Sequence, residues 1–181
     1  MKRLSALPIT VLMVVALMML GGCDVGVNPL IFDGTPVKAV ISVETNETSF
    51  DHSSVINLNT VLQDIDDVVD SISVFNITMQ VANRVSPAAN TAFSGSILIN
   101  NVQLISVNNL TLADFAQERS VFDQGLGNNV TVNPAGLQML QGVLAQSPMP
   151  TVGVRATGQA GSGPLDFDLV VALYTQVYTT P

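Results

Sequence analysis

The sequence predicts a mainly β fold: one antiparallel β-sandwich domain with two or three short capping helices. Three observations predict it. Charged residues make up only 11% of the 181 residues, and the chain is rich in Val, Asn, Thr and Ser, which suit strands and turns. Most apolar stretches are short and alternate with polar residues, as in strands with one buried face. The stretches with helical spacing are few and short, which favours a sandwich whose connections contain them.

The first 23 residues have the layout of an export signal. Lys2-Arg3 gives a positive start, an apolar run follows from Ile9 to Leu20, and the small pair Gly21-Gly22 precedes Cys23. The apolar run is shorter than the roughly 20 residues that a membrane-spanning helix needs. This order is typical of a secretory signal peptide, and it predicts export of the chain.

The residues Leu20-Gly21-Gly22-Cys23 resemble the lipobox of bacterial lipoproteins. The resemblance implies diacylglycerol transfer to the Cys23 thiol, cleavage between Gly22 and Cys23, and acylation of the new amino group, for example with palmitate. Two or more acyl chains anchor a protein stably, whereas one binds only marginally. An ordinary cleaved signal with an incidental cysteine and an uncleaved anchor are the alternatives. Asp24 resembles an enteric inner-membrane retention signal, but that rule varies among bacteria, so the choice of membrane stays open.

These features divide the chain into three predicted parts. Residues 1–22 are the lipoprotein signal peptide, residues 23–36 hold the lipidated cysteine and a tether rich in Pro and Gly, and residues 37–181 form one domain. Removing the signal peptide changes the net charge from −8 to −10, because two positive charges leave with it. The mature part keeps only four basic residues, too few to neutralise the phosphates of a nucleic acid: Lys38, Arg84, Arg119 and Arg155.

The first half of the domain alternates strands with one helix. Val37–Thr45 and Ser49–Leu58 are predicted strands. Val61–Val69 has apolar residues at helical spacing and predicts a short amphipathic helix. Ser71–Ala82 returns to strand alternation, which places Phe75 in the core with the apolar residues that follow it.

A predicted loop covers Arg84–Asn90, and two apolar runs follow it. Phe93–Ile99 and Val102–Val107 are separated by Asn100-Asn101. Asparagine tolerates positive φ, so a tight hairpin fits there, and one long bent strand is the alternative.

The second half contains the clearest helix signal. Thr111 and Asp114 have capping-box spacing for a short helix toward Gln117. Val130–Val132 predicts a short strand, and Asn133-Pro134 then predicts a cap and first turn for a helix with an apolar face over Leu137–Leu144. Thr151–Thr157 and Leu165–Tyr178 are the predicted last strands, joined by a loop over 158–164.

Part of the body is similar to a known domain family. Asn76–Asn83, Phe93–Asn101 and a helix such as Asn133–Gln146 before the last strand pair resemble the water-stress type of late-embryogenesis-abundant domain. The resemblance implies an immunoglobulin-like sandwich without an active site. The chain departs from the family pattern where Arg84, and not proline, follows Asn83.

The residues that carry chemistry form no convincing constellation. His52 is the only histidine, and Asp51, Ser53 and Ser54 adjoin it. A Ser-His-Asp triad is not expected, because neighbours on a strand point to opposite faces and no nucleophile elbow is present. One histidine and one lipidated cysteine cannot supply a structural zinc site, and no phosphate-binding glycine loop is present. We therefore predict no enzyme and no cofactor.

Two groups of aspartates remain as weak candidates. The first offers oxygen ligands to calcium but lacks the glycine and distal glutamate of an EF-hand, so a solvated helix face and weak calcium binding both stay open. The second falls on one face of the last strand, where alternation predicts exposure to solvent. The residues are Asp64, Asp66, Asp67 and Asp70 in the first group, and Asp166 and Asp168 in the second.

Three function hypotheses follow. The first is a non-enzymatic cell-envelope lipoprotein, held on the extracytoplasmic side by its lipid, whose body binds an unknown envelope protein or serves a structural role. The second is a carrier of a lipid or another apolar ligand, with the apolar helices at Val61–Val69 and Leu137–Leu144 lining a pocket; packing of those helices into the core is the alternative reading. The third is an unrecognised hydrolase that depends on His52.

Overall fold

The computed structural model describes residues 30–62, 68–146 and 151–180. Within these residues, one α-helix, α1 (Pro134–Leu144), and three short 3₁₀ helices (Leu58–Leu62, Leu112–Phe115, Gln124–Asn129) accompany the strands. The strands are β1 (Leu30–Asp33), β2 (Val37–Thr45), β3 (Ser49–Asn57), β4 (Val68–Ser86), β5 (Ala92–Ile99), β6 (Val102–Thr111), β7 (Arg119–Ser120), β8 (Val130–Val132), β9 (Thr151–Ala160) and β10 (Leu165–Thr180).

The strands form two antiparallel sheets that pack as a β-sandwich, which confirms the predicted fold class. In sheet A, β10 pairs on one side with both β1 and β2 and on the other side with β4, which also pairs with β7. Sheet B has the order β3-β9-β5-β6-β8. In β2 and β10, alternate residues face the core between the sheets, so apolar positions are buried and their neighbours face out.

Aromatic side chains bridge the interior between the sheets and the connections. Phe50 of β3 meets Phe167 of β10 edge to face, with ring centroids 6.0 Å apart. Phe93 of β5 meets Phe115 of the second 3₁₀ helix at the same distance. Such pairs contribute about 0.5–1.5 kcal/mol beyond the apolar area that they bury. They hold sheets A and B, and the connection after β6, around one core.

Helix α1 begins where the sequence predicts. The Asn133 side chain accepts a 3.0 Å hydrogen bond from the Ala135 N–H, and Pro134 occupies the first helical turn, where its missing N–H costs nothing. Leu140 and Leu144 are buried, and α1 packs mainly against β6 with further contacts to β4 of the other sheet. The helix therefore covers the gap between the two sheets, as predicted for a capping helix.

Two predicted turns are also confirmed. Asn100 and Asn101 have φ values of 47° and 65° and connect β5 to β6 as a tight hairpin, which excludes the long bent strand. Asp114 accepts hydrogen bonds from the Thr111 N–H and hydroxyl, at 2.8 and 2.7 Å. This capping box opens a 3₁₀ helix that ends at Phe115, two residues short of the predicted end at Gln117.

The predicted helix over Val61–Val69 is wrong at both ends where the structure describes it. A 3₁₀ helix ends at Leu62, and β4 begins at Val68, so Val69 lies in a strand opposite Thr179 of β10. Residues 63–67 lie outside the described residues. Val and Ile suit a strand better than a helix, and the long strand β10 offers a partner that no local pattern can reveal.

Two further segments differ from the prediction because they extend sheet A. Leu30–Asp33 falls in the predicted tether but pairs with β10, with Leu30 opposite Thr179 and Asp33 opposite Gln176. The predicted loop over Arg84–Asn90 begins later, because β4 continues to Ser86 opposite Asp166. No helix within the described residues is long and apolar enough to cross a bilayer.

Candidate binding face

A β-bulge places Phe75 on the outer surface of sheet A. Tyr174 pairs with Asn76 and Thr175 pairs with Val74, so Phe75 is the extra residue on β4. The Phe75 side chain is 50% exposed, and the prediction that it lies in the core is wrong. The signal was present in the sequence, because the inward positions Ile72 and Val74 are followed by Ile77, a step of three that a regular strand does not allow.

The Phe75 ring contacts Tyr174 of β10 on the same surface. Their ring centroids are 6.2 Å apart with an interplanar angle of 61°, an edge-to-face arrangement. The Tyr174 hydroxyl donates a hydrogen bond to the Glu118 carboxylate. The bulge thus creates an aromatic pair whose polar end is fixed by a carboxylate from the segment before β7.

Glu118 connects three strands of sheet A. Its Oε1 accepts a 2.7 Å hydrogen bond from the Thr78 hydroxyl of β4 as well as the bond from Tyr174 of β10. Its Oε2 lies 3.8 Å from the Lys38 ammonium of β2. The two hydroxyl donors lower the pKa of Glu118 below its ordinary value, with a smaller contribution from Lys38. The hydrogen bond from the Tyr174 hydroxyl to Glu118 also raises the pKa of Tyr174. The site therefore holds an ionised carboxylate beside a neutral phenol.

A second exposed aromatic ring follows β7 in the chain. Val121 is buried and donates a 2.9 Å backbone hydrogen bond to the Ile77 carbonyl of β4, and the Ser120 hydroxyl donates to the Asn76 side-chain oxygen at 2.6 Å. These bonds hold the turn that begins at Ser120 against β4. Phe122, in this turn, is 49% exposed. We call the exposed rings Phe75 and Phe122, together with Tyr174 and Glu118, the aromatic face.

Asp51 and Ser53 do not come together with His52, whereas Ser54, two residues along β3, lies on the same face as His52. His52 lies on β3, which pairs only with β9 within the described sheet, so it is an edge histidine as predicted. Asp51 and Ser53 point to the opposite face of the strand from His52, and Asp51 is bound to Arg155 by two hydrogen bonds. The Asp51 carboxylate is thus paired with Arg155, and those bonds lower its pKa.

The aspartates divide between described and undescribed residues. Asp64, Asp66 and Asp67 lie outside the described residues, as do Gly22 and Cys23. Asp70 is exposed on β4 and not on a helix. Within residues 30–62, 68–146 and 151–180, no group of three or more His, Cys, Asp or Glu side chains is arranged to hold a metal ion. Weak calcium binding by this group stays a prediction.

Asp166 and Asp168 lie on the outer side of β10, as alternation predicts. Asp168 accepts hydrogen bonds from the Ser42 hydroxyl at 2.6 Å and from the Asn83 amide at 2.7 Å, and these bonds lower its pKa. Its carboxylate therefore connects β2, β10 and β4 across sheet A. The arrangement links three neighbouring strands of sheet A.

The interior gives the carrier hypothesis no support where it is described. A void between the sheets, lined by Phe50, Met79, Phe93, Val107 and Leu169 among others, has a volume of about 10 Å³. A single water molecule needs roughly 10–15 Å³, so this void cannot hold an acyl chain. The carrier hypothesis stays a prediction.

Comparisons with known proteins do not assign a family. No family model matches the chain, and no curated protein matches it. Two similar solved structures are those of turnip yellow mosaic virus and desmodium yellow mottle tymovirus, with TM-scores of 0.37 and 0.34 and sequence identities of 10% and 9%. The first match covers 85% of this chain and 96% of the viral chain, and the second covers 100% and 96%. Similarity at this level carries no functional argument.

Proposed function

We propose that the chain is a lipid-anchored lipoprotein of the bacterial cell envelope, whose β-sandwich binds a partner protein and performs no catalysis. The observation that carries the anchor is the order of Lys2-Arg3, the apolar run Ile9–Leu20 and the lipobox-like Leu20-Gly21-Gly22-Cys23. Lipid on Cys23 would retain an otherwise polar, acidic body on the extracytoplasmic side of a membrane. The choice between inner and outer membrane is left open in this proposal.

The binding role rests on the aromatic face. Phe75 and Phe122 are both about half exposed, and exposed aromatic side chains are enriched at protein interfaces and frequently dominate their energetics. In a sandwich that buries most of its large apolar side chains, two such exposed rings have no role in the core. They give a partner protein two apolar anchors beside a fixed carboxylate.

The charges of the face indicate what kind of partner fits it. Glu118 is ionised, and its Lys38 neighbour is 3.8 Å away and half exposed, so a cation from a partner can take the place of that ammonium. The rings of Phe75 and Tyr174 add a surface on which Arg or Lys gains about 0.5–1 kcal/mol by a cation–π contact. The partner segment is therefore basic and partly apolar, which also suits the negative net charge of the body.

A photo-crosslinking experiment in cells tests this function. A photoreactive phenylalanine analogue at Phe122 is expected to crosslink the full chain to one envelope protein, whereas the same analogue at exposed Val85 gives no such product. Phe75→Ser is expected to reduce the Phe122 crosslink at least several-fold, and Val55→Ser, at an exposed position on sheet B, is the matched control. Equal crosslinking in the Phe75→Ser and Val55→Ser chains would contradict binding through this face.

A further inference from the structure

Strand β1 exposes apolar side chains on both of its faces. Leu30, Ile31 and Phe32 are consecutive and are 45%, 57% and 37% exposed. Ile31 lies opposite Tyr178 on the outer side of sheet A, whereas Leu30 and Phe32 lie opposite the buried residues Thr179 and Val177. A strand of a sandwich ordinarily buries one face, so three exposed apolar neighbours on an edge strand are not explained by the core.

The position of β1 along the chain sets how far it can be from Cys23. Only residues 24–29 separate Cys23 from Leu30. A fully extended chain spans at most 3.3–3.6 Å per residue, so Leu30 lies within about 25 Å of a lipid-bound Cys23. Pairing of Leu30 with Thr179, near the end of β10, places this apolar strand at one end of the sandwich. That end is the part of the described body nearest to the anchor.

The charges at the same end indicate how it would meet a bilayer. Asp33 and Asp70 are exposed there, and the nearest basic residue of sheet A, Lys38, lies opposite Ala172, six positions along β10 from Tyr178. Lipid headgroups with net negative charge would repel the acidic groups of this end, and no basic residue of the described part of sheet A lies closer to it than Lys38, so contact depends on apolar side chains. A zwitterionic leaflet fits this combination of exposed apolar and acidic residues.

We infer that the β1 end of the sandwich, through Leu30, Ile31 and Phe32, inserts into the interface of the bilayer that holds the lipid of Cys23. This inference rests on the proposed anchor. It adds an orientation, with the β1 end against the membrane and the opposite end, which carries Val85 beside Ser86 and Asp166, facing away. Twelve residues of β10 separate these levels, a distance of about 40 Å.

Tryptophan quenching tests the orientation directly, because the chain contains no Trp. Ile31→Trp and, separately, Val85→Trp are made in the full chain, and the processed proteins are reconstituted into phosphatidylcholine vesicles with brominated acyl chains. Both sites are more than half exposed, so both variants should fold, and circular dichroism checks this. We expect the Ile31→Trp fluorescence to fall roughly twofold relative to unbrominated vesicles and the Val85→Trp fluorescence to stay unchanged. Phe32→Trp repeats the measurement at a neighbouring position.

Flotation and quenching together distinguish the anchor from insertion of the β1 end. Flotation with vesicles and quenching at Ile31 and Phe32 alone support insertion of the β1 end. Flotation without quenching at either position overturns the inference and leaves the anchor intact. This result is expected if another protein, or a second copy of this chain, covers β1. Failure of the chain to float overturns the anchor and this inference together. Equal quenching with anionic phosphatidylglycerol vesicles at low salt would contradict the argument from charge.

Discussion

The hydroxyl of Thr78 donates a 2.7 Å hydrogen bond to Glu118, and this bond ties the segment before β7 to the outer surface of sheet A. Tyr174 donates to the same carboxylate oxygen from the adjacent strand β10. A single side chain from a connecting segment thus orders one end of the aromatic pair Phe75–Tyr174. The geometry of the proposed binding face depends on this carboxylate, and its protonation gives the first prediction.

Glu118→Gln is expected to make the free energy of unfolding depend less on pH in the acidic range. The pKa of Glu118 is lowered in the folded chain from an ordinary value of 4.5, so its contribution is complete above that pH. The contribution is lost as the pH falls from 4.5 through the lowered pKa. Because the group is partly exposed, we expect a loss of about 1 kcal/mol in the free energy of unfolding at pH 7. Urea unfolding between pH 7 and pH 3 measures it.

Glu47→Gln is the control for this change. The exposed Glu47 carboxylate accepts only a long 3.4 Å hydrogen bond from Ser49, so Glu47→Gln should leave the free energy of unfolding at pH 7 close to that of the unmodified chain. Identical pH profiles for the Glu118→Gln and unmodified chains would show that Glu118 is not held ionised by its donors.

Thr175→Val is expected to stabilise the fold, whereas Thr78→Val destabilises it. The Thr175 hydroxyl is buried and has no hydrogen-bond partner within the described residues, so replacing it with a methyl group removes a desolvation cost of about 1 kcal/mol. Thr78 is also buried, but its hydroxyl donates to Glu118, and its loss should cost about 1–2 kcal/mol. Thermal and urea unfolding compare the two variants, and a destabilised Thr175→Val chain would reveal a partner such as an ordered water.

Much of the fold could be predicted because its signals are local. The alternation in β2 and β10, the Asn133-Pro134 helix start and the Asn100-Asn101 hairpin each depend on residues adjacent in the chain. Val68 and Val69 could not be placed in β4 this way, because their apolar spacing fits a helix and only pairing with β10 decides between the two. Long-range pairing likewise adds β1 to sheet A.

The aromatic face was less accessible to sequence reasoning. Val74 and Ile77 are both inward positions although they are three positions apart, and this spacing reveals the bulge that exposes Phe75. The regular alternation after Ile77 gives no sign of it. Glu118 lies in a segment without periodicity, and its partners on β2, β4 and β10 are far apart in sequence. No local pattern identifies which surface such a segment will contact.

Alanine substitutions at two glycines of α1, Gly136 and Gly142, are expected to have opposite effects on stability. A Cβ atom on Gly136 would lie 2.3 Å from the Gln103 carbonyl oxygen and 2.8 Å from the Leu104 Cα, both backbone atoms of β6. Gly136→Ala should therefore displace the helix from β6 and cost about 1–3 kcal/mol. A Cβ on Gly142 meets no atom within 4 Å, so Gly142→Ala should stabilise the helix by about 0.5–1 kcal/mol. Opposite signs in chemical unfolding are expected, and equal effects would contradict the packing of α1 on β6.

Intact-mass spectrometry of the protein extracted from cell membranes tests whether Cys23 carries lipid. We expect a chain that begins at Cys23 and carries the added mass of diacylglycerol, with further acylation of its amino group where the host performs it. We also expect Cys23→Ser to abolish both the added mass and retention in the membrane fraction. A mature chain with an unmodified Cys23, or equal membrane retention after Cys23→Ser, would show that the protein is not anchored by lipid on this residue.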